Sequence, residues 1–189
     1  MLKKIERAQQ LLKKEAAVFR CPTCHEPMHV EGVGLICQQR HQFDLSKKGT
    51  LYFLKHGVQT EYNKKMFTSR GKMIQSGMYA PVLNKIIHYL PQNKTVVDVG
   101  CGEGSFLAEL SQAGLSGLKI GFDLSKEGIY LASNQPIDAF WCVADLTNLP
   151  FANEGLDTIL NIFSPSHYQE FRRVLKADGT VIKIIPEEN

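Results

Sequence analysis

Val96 to Phe106 reads VVDVGCGEGSF: β-branched residues, an acid two places before the first glycine, and three glycines at alternate positions ahead of a run of helix formers. That order constrains the fold more than anything else in the chain. β-Branched residues favour extended backbone. Glycines permit the conformations a sharp reversal needs, and the helix that follows points its free N–H groups back at the turn. Strand, turn and helix in this order belong to a parallel sheet with crossover helices, so the rest of the chain should alternate in the same way. Beyond Pro81 it does. The periodicity predicts helix 81–90, strand 95–99, helix 103–113, strand 118–122, helix 125–134, strand 140–143, strand 156–162, helix 167–175 and strand 180–185. This is the order of a doubly wound α/β sheet with five strands.

What the turn can hold follows from its spacing. A dinucleotide fingerprint needs glycine at the place of Ser105, three after Gly102, so that a pyrophosphate can lie on the helix. That glycine is absent. The acid before the glycines is instead the pattern of class I S-adenosylmethionine methyltransferases, Rossmann-like proteins whose cofactor has no pyrophosphate. On this reading Asp98 serves the methionine end, and Gly100, Gly102, Glu103 and Gly104 make the cofactor turn. Asp123, ending the next strand, accepts from the ribose hydroxyls, and Asp145 accepts from the adenine amino group beside the Leu146 N–H. Any one of these acids alone could be an ordinary strand-ending turn residue. Three acids after three successive strands make the joint reading.

A second constellation lies upstream. Cys21-x2-Cys24 and Cys37-x3-His41 offer two knuckles separated by a 12-residue gap. Four N or S ligands suit tetrahedral zinc, and with no fifth ligand in the pattern the site reads as closed and structural. His25 and His29 compete for the fourth place, but each would have to fold back over the first knuckle, which favours His41. Cys101 and Cys142 fall in or beside core strands and read as packing. A module of roughly 35 residues cannot bury enough apolar surface by itself, so zinc is expected to supply its folding energy while the sheet domain stands on its own core.

The 189 residues, 43% of them hydrophobic, allow one α/β core and a small appendage. The expected organisation is a helical extension over 1–18, a zinc-binding module of short strands and turns over 19–55, a polar linker over 56–80 whose second half is open to a helix, and the sheet domain over 81–189. Residues 3–17 carry apolar positions at helical spacing. No apolar run approaches the length of a membrane span, and the N-terminus lacks the apolar core of a secretory signal, so a soluble cytoplasmic protein is expected. Charge is uneven: residues 1–90 hold 15 Lys+Arg against 6 Asp+Glu, and residues 91–189 hold 7 against 13. A basic half that contains the metal module points to a polyanionic partner. Lys47, Lys48, Lys64, Lys65 and Arg70 are the candidate residues for binding it.

The segments FRCPTCHEPM, CQQRHQFDLSKKGTLYFL, SRGKMIQSGMYAPV, VVDVGCGEGSF, GFDLSK and FSP together resemble the RlmA/TlrB family of 23S ribosomal RNA guanine-N1 methyltransferases. The resemblance covers nearly the whole chain after the N-terminal extension. It implies methyl transfer from S-adenosylmethionine to guanine N1 in a hairpin of 23S ribosomal RNA, a zinc module on Cys21, Cys24, Cys37 and His41 that helps hold the hairpin, and a possible homodimer. It also implies cofactor contacts from Tyr79, Gly104 and Ser105, and a sheet domain that is C-terminally truncated at Asn189. Phe163, Ser164 and Pro165 follow the fourth strand, where this class builds the wall of the substrate pocket, and Phe163 could stack on an unstacked base. His167 is near the expected pocket mouth, though a histidine opening a helix is more often a cap. No residue declares itself as the general base. Two other readings remain: a small-molecule methyltransferase, and a zinc-ribbon RNA-binding protein with an inactive methyltransferase half.

Overall fold

The computed structural model describes residues 2–187. Helix α1 (Lys4–Glu15) and a short 3-10 turn lead into a small antiparallel sheet of β1 (Met28–Glu31), β2 (Gly34–Cys37) and β3 (Gln42–Asp44). Then come β4 (Thr50–Tyr52), α2 (Lys64–Gln75), α3 (Ala80–Tyr89), β5 (Val96–Val99), α4 (Ser105–Gln112), β6 (Lys119–Asp123), α5 (Lys126–Ala132), β7 (Phe140–Val143), β8 (Leu156–Ile162), α6 (Tyr168–Val174) and β9 (Leu175–Ile184). The strands and helices expected beyond Pro81 are present, with ends that differ by a few residues. β9 starts at Leu175 because a bulge between Leu156 and Thr158 pairs that residue early.

The large sheet has six strands in the order β4-β7-β6-β5-β8-β9, every neighbouring pair parallel. Its sixth member is a departure from the expected organisation: β4 comes from the segment read as metal module and pairs Thr50 with Trp141 at one edge. The segment 56–80, read as linker, also contributes to the fold. Asn63 caps α2 by accepting from the Met66 N–H, and Phe67, Gly71 and Ile74 form its buried stripe at helical spacing.

Period-2 alternation along β5 explains the layering. Val97 and Val99 join one apolar cluster, in which α1 (Ala8, Leu12), the metal module (Phe19, Met28, Leu35, Leu51) and α6 (Phe171, Val174) cover the sheet. Val96 joins the other, built with α2 to α5 through Ile74, Leu83, Phe106 and Ile129. The N-terminal module is thus one outer layer of a three-layer sandwich and shares its core with the sheet. Among the described residues no helix is long and apolar enough to cross a membrane.

Candidate cofactor site and metal centre

Parallel strands all end on one edge, and there the loops leave a cavity of about 670 Å³, of the size that cofactors occupy. Gly100 and Gly102 line it from the turn after β5, Asp123 and Leu124 from the end of β6, Asp145 and Leu146 from the end of β7, and Phe163, Ser164 and Pro165 from the end of β8. The segment before α2 supplies Gln59, Thr60, Glu61 and Tyr62, and α2 adds Phe67 and Arg70. Of the residues expected at the cofactor, Gly100, Gly102, Asp123, Asp145 and Leu146 therefore meet at one cavity. Tyr79, Asp98, Glu103, Gly104 and Ser105 stand behind this lining.

The turn needs its glycines for two reasons. Gly100 and Gly104 have φ of +66° and +81°, a region costly for side-chain-bearing residues. A Cβ on Gly104 would also sit 2.7 Å from the Trp141 ring, and one on Gly100 would sit 2.8 Å from Ser164. Asp123 closes the turn by accepting from the N–H groups of Gly102 (2.9 Å) and Ser125 (2.8 Å). Burial raises its carboxyl above the ordinary range, and those two N–H donors pull it back down. Asp145 is held by the Thr147 N–H and hydroxyl, each at 2.8 Å.

Asp98 is 1% exposed and its Oδ2 has no hydrogen-bond partner. Burial pushes its carboxyl up to about 7; the nearby Arg70 opposes this, while Glu103 and Asp123 add to it. Such an orphaned buried carboxyl calls for a proton or a cation. The ammonium of a methionine moiety is a cation of the right kind, so the donor set present, buried Asp98 behind the lining with Asp123 and Asp145 on it, fits S-adenosylmethionine.

Arg70 is placed differently from the expectation. Expected as an RNA contact, it has its Nη1 donating to Glu103 at 2.6 Å and to the Cys101 carbonyl at 3.4 Å, and its guanidinium lies 5.0 Å from the centre of the Phe106 ring. It braces the glycine turn because it follows Phe67 by three residues on the buried side of α2. The lysines also divide. Lys64 and Lys65 open α2 beside the cavity, whereas Lys47 and Lys48 precede β4, at the opposite edge of the parallel sheet. Lys48 lies over the Tyr130 ring there, at 5.4 Å.

At the cavity mouth Phe163 has φ of +51° and is 42% exposed. A large side chain held in the left-handed region is strained, and such strain gathers at ligand sites. Tyr79 stands behind it, its ring 5.8 Å from Phe163 and 5.4 Å from Phe106. Ser164 donates to the Val99 carbonyl (2.7 Å) and accepts from buried Asn161 (2.6 Å), which also donates to the Ser164 and Pro165 carbonyls. Sequence reasoning did not single out Asn161, though a lone amide in the apolar strand LDTILNI was the available signal. It also passed over Glu61, which lines the cavity from a polar segment without a recognisable pattern. His167 caps α6, its Nδ1 accepting from the Glu170 N–H.

In the N-terminal module the ligand atoms of Cys21, Cys24, Cys37 and His41 all lie within 4.8 Å of one another. Cys24 Sγ is 3.5 Å from Cys37 Sγ, and His41 Nδ1 is 3.6 and 3.4 Å from the sulfurs of Cys21 and Cys37. Tetrahedral zinc with bonds of about 2.3 Å to sulfur and 2.0–2.1 Å to nitrogen has edges of about 3.5–3.8 Å. The four groups fit that ion. The knuckles owe their shape to His25 and Arg40, both with positive φ, and to N–H bonds within each turn, including Thr23 to Cys21 Sγ at 3.4 Å. His25 and His29 lie outside the cluster.

Comparison with known proteins agrees with this geometry. The family model for the RlmA N-terminal zinc ribbon matches residues 19–55, and a methyltransferase-domain model matches residues 96–179. YxjB of Bacillus subtilis, named as a candidate 23S rRNA (guanine-N1)-methyltransferase, is 40% identical over 185 residues, 92% of this chain and 66% of that protein. The 23S rRNA (guanine(748)-N1)-methyltransferase of Streptomyces fradiae is 26% identical over 94% of this chain and 66% of its own length. The chain thus spans just under two thirds of the length of these relatives. A structure from Methanococcus maripaludis, described as a candidate S-adenosyl-L-methionine-dependent methyltransferase, superposes with a TM-score of 0.56 at 19% identity, covering 68% of this chain and 67% of that one.

Proposed function

The chain belongs to the RlmA/TlrB methyltransferase family, and from that premise we propose that it methylates guanine N1 in a hairpin of 23S ribosomal RNA. The observation that carries this reading is the joining, in one chain, of an RlmA-type zinc ribbon to a cofactor cavity whose mouth holds the half-exposed Phe163 ring. A target base must be splayed out to be reached, and an aromatic face is what holds a splayed base. A cytoplasmic location and a pair of copies forming a joint RNA cleft are further parts of the reading.

Bound in the cavity, S-adenosylmethionine supplies an electrophilic methyl group. The chain supplies position, which is most of what an in-line methyl transfer needs. Tyr79 and Phe106 back the Phe163 ring against which guanine stacks. Arg70 and Glu103 fix the turn, and Asn161 fixes the loop after β8. Guanine N1 carries a proton at neutral pH that must leave as the N1–methyl bond forms. Asp123 and Asp145 are tied into the loops at the adenosine end, which leaves Glu61 as the lining carboxylate free to take that proton. In a methyl-transfer assay on a 23S hairpin, Glu61→Gln is expected to lower kcat by about 10²-fold, the lower end of general-base effects, with the cofactor Kd unchanged. An unchanged kcat assigns the proton to water.

The RNA part of the reading rests on charge. Neutralising a phosphate contact lowers the salt slope of binding by about 1 per contact. Lys64→Gln/Lys65→Gln, beside the cavity, is expected to lower the slope for hairpin binding by about 2. A similar drop with Lys47→Gln/Lys48→Gln means that the hairpin reaches the opposite edge of the sheet, and a parent slope there confines the footprint to the cavity edge. Parent slopes in both variants remove RNA as the partner and favour a small substrate.

A further inference from the structure

The loop that carries Asp145 and Leu146 to the cavity is tied to the metal module. Asn148 Nδ2 donates to the carbonyl of Pro22 at 2.8 Å, across 126 residues of sequence. Pro22 lies next to Cys21, inside the first ligand knuckle. The Asn148 backbone N–H meanwhile donates to the Asp145 carbonyl at 3.1 Å, closing the turn that sets Asp145 and Leu146. One residue therefore holds the knuckle with its side chain and the cofactor loop with its main chain.

The surroundings leave the loop little freedom to absorb a movement of the knuckle. Arg20 N–H donates to the Pro150 carbonyl (3.0 Å) and Ala152 N–H to the Val18 carbonyl (2.8 Å), so the chain leading into Cys21 brackets the loop's far end. On the other side Glu170 accepts from the Leu149 N–H and Arg173 donates to the Leu149 carbonyl. What zinc fixes is the position of this knuckle, whose four ligand atoms lie within 4.8 Å of one another.

We propose that Asn148 is a positioning residue that couples the zinc knuckle to the adenosine end of the cofactor site, so that zinc and S-adenosylmethionine each tighten the other's binding. The inference rests on assigning the cavity to that cofactor. Coupling between two sites is reciprocal: the factor by which zinc tightens the cofactor is the factor by which the cofactor tightens zinc. Because that equality holds for any coupling, the share carried by Asn148 is read from what its variants lose.

The test uses the zinc-loaded protein. Zinc affinity is measured by competition with a chromophoric chelator, with and without saturating S-adenosylmethionine, and cofactor Kd by calorimetry. Coupling energies between sites correspond to about 5- to 150-fold. A single neutral hydrogen bond puts the share of that tightening carried by Asn148 near fivefold in the parent. Asn148→Asp keeps the shape of the side chain but removes its N–H donor, and Asn148→Ala removes both. In each the tightening should fall by about that factor, and the cofactor Kd should rise by the same factor. Parent zinc affinity indifferent to the cofactor, or the same tightening in both variants, overturns the proposal. Failure of the zinc-loaded parent to bind cofactor at all overturns the cofactor assignment, and the coupling with it.

Discussion

Stripping zinc from Cys21, Cys24, Cys37 and His41 is expected to unfold the chain as a whole, not the N-terminal module alone. A small module beside an independent sheet domain would melt separately. Here the module covers one face of the large sheet: Phe19, Met28, Leu35, Leu51 and Phe53 share a cluster with Val97, Val99, Ile120, Phe122 and Phe140, and β4 is a strand of the sheet itself. Structural zinc in finger peptides contributes on the order of 10–16 kcal/mol at pH 7, against about 5–15 kcal/mol for the net stability of a domain. Losing most of that while uncovering a sheet face leaves little to hold the rest. Cys37→Ser should act in the same direction. Trp141, the single tryptophan, is buried in β7 and packs with the opposite cluster, away from the metal ligands, so its emission reports on the sheet, β4 included. The expected result is one thermal transition in which Trp141 emission and the metal module are lost together. Metal-free protein with native Trp141 emission and protected sheet amides would restore the picture of two independent units.

The difference between the two pictures shows which physics a sequence carries. The turn after β5 was legible because glycine spacing, the acid and the flanking β-branched residues are all local requirements. The metal ligands were legible for a similar reason, since two knuckles are short-range patterns. β4 was not. Three residues, TLY, carry no alternation, and joining the edge of a parallel sheet is decided by what lies across from them, Trp141 to Val143. Arg70 read as one basic residue among several because its role depends on α2 packing Phe67 and Ile74 inward, which turns the neighbouring position toward Glu103. Asn148 acts on the backbone carbonyl of a distant segment, that of Pro22, and an amide that serves such a partner leaves no spacing to read, whereas Asn161 holds the loop that directly follows it. The sites thus appeared in the sequence as lists of residues, and their supports only in three dimensions.

Asp98→Asn is expected to make the unliganded protein more stable at pH 8 and its cofactor binding weaker. The carboxyl is buried with one oxygen unpartnered, and burial holds it up at about 7, with Glu103 and Asp123 adding to the effect and Arg70 opposing it. The folded state therefore binds this proton more tightly than the unfolded chain, whose value is 3.8. The carboxyl's contribution to stability is fully present below about pH 4 and is lost as pH rises through about 7, an interval that corresponds to about 4 kcal/mol. Asparagine keeps the shape and stays neutral, so the variant should lose this slope and hold a higher Tm at pH 8. The cofactor's ammonium reverses the balance. By pairing with the charged carboxylate it draws the proton off Asp98, so binding to the parent should tighten from about pH 5.5 to 7 with release of a proton. In the variant the same titration should be flat, and weaker at pH 7 by roughly tenfold or more, as expected on losing a charged hydrogen bond. Calorimetry in buffers of different ionisation enthalpy reads the proton directly. Equal affinities at pH 7, or no proton released by the parent, would mean that the methionine end lies elsewhere and that Asp98 is a strained core residue with no ligand to relieve it.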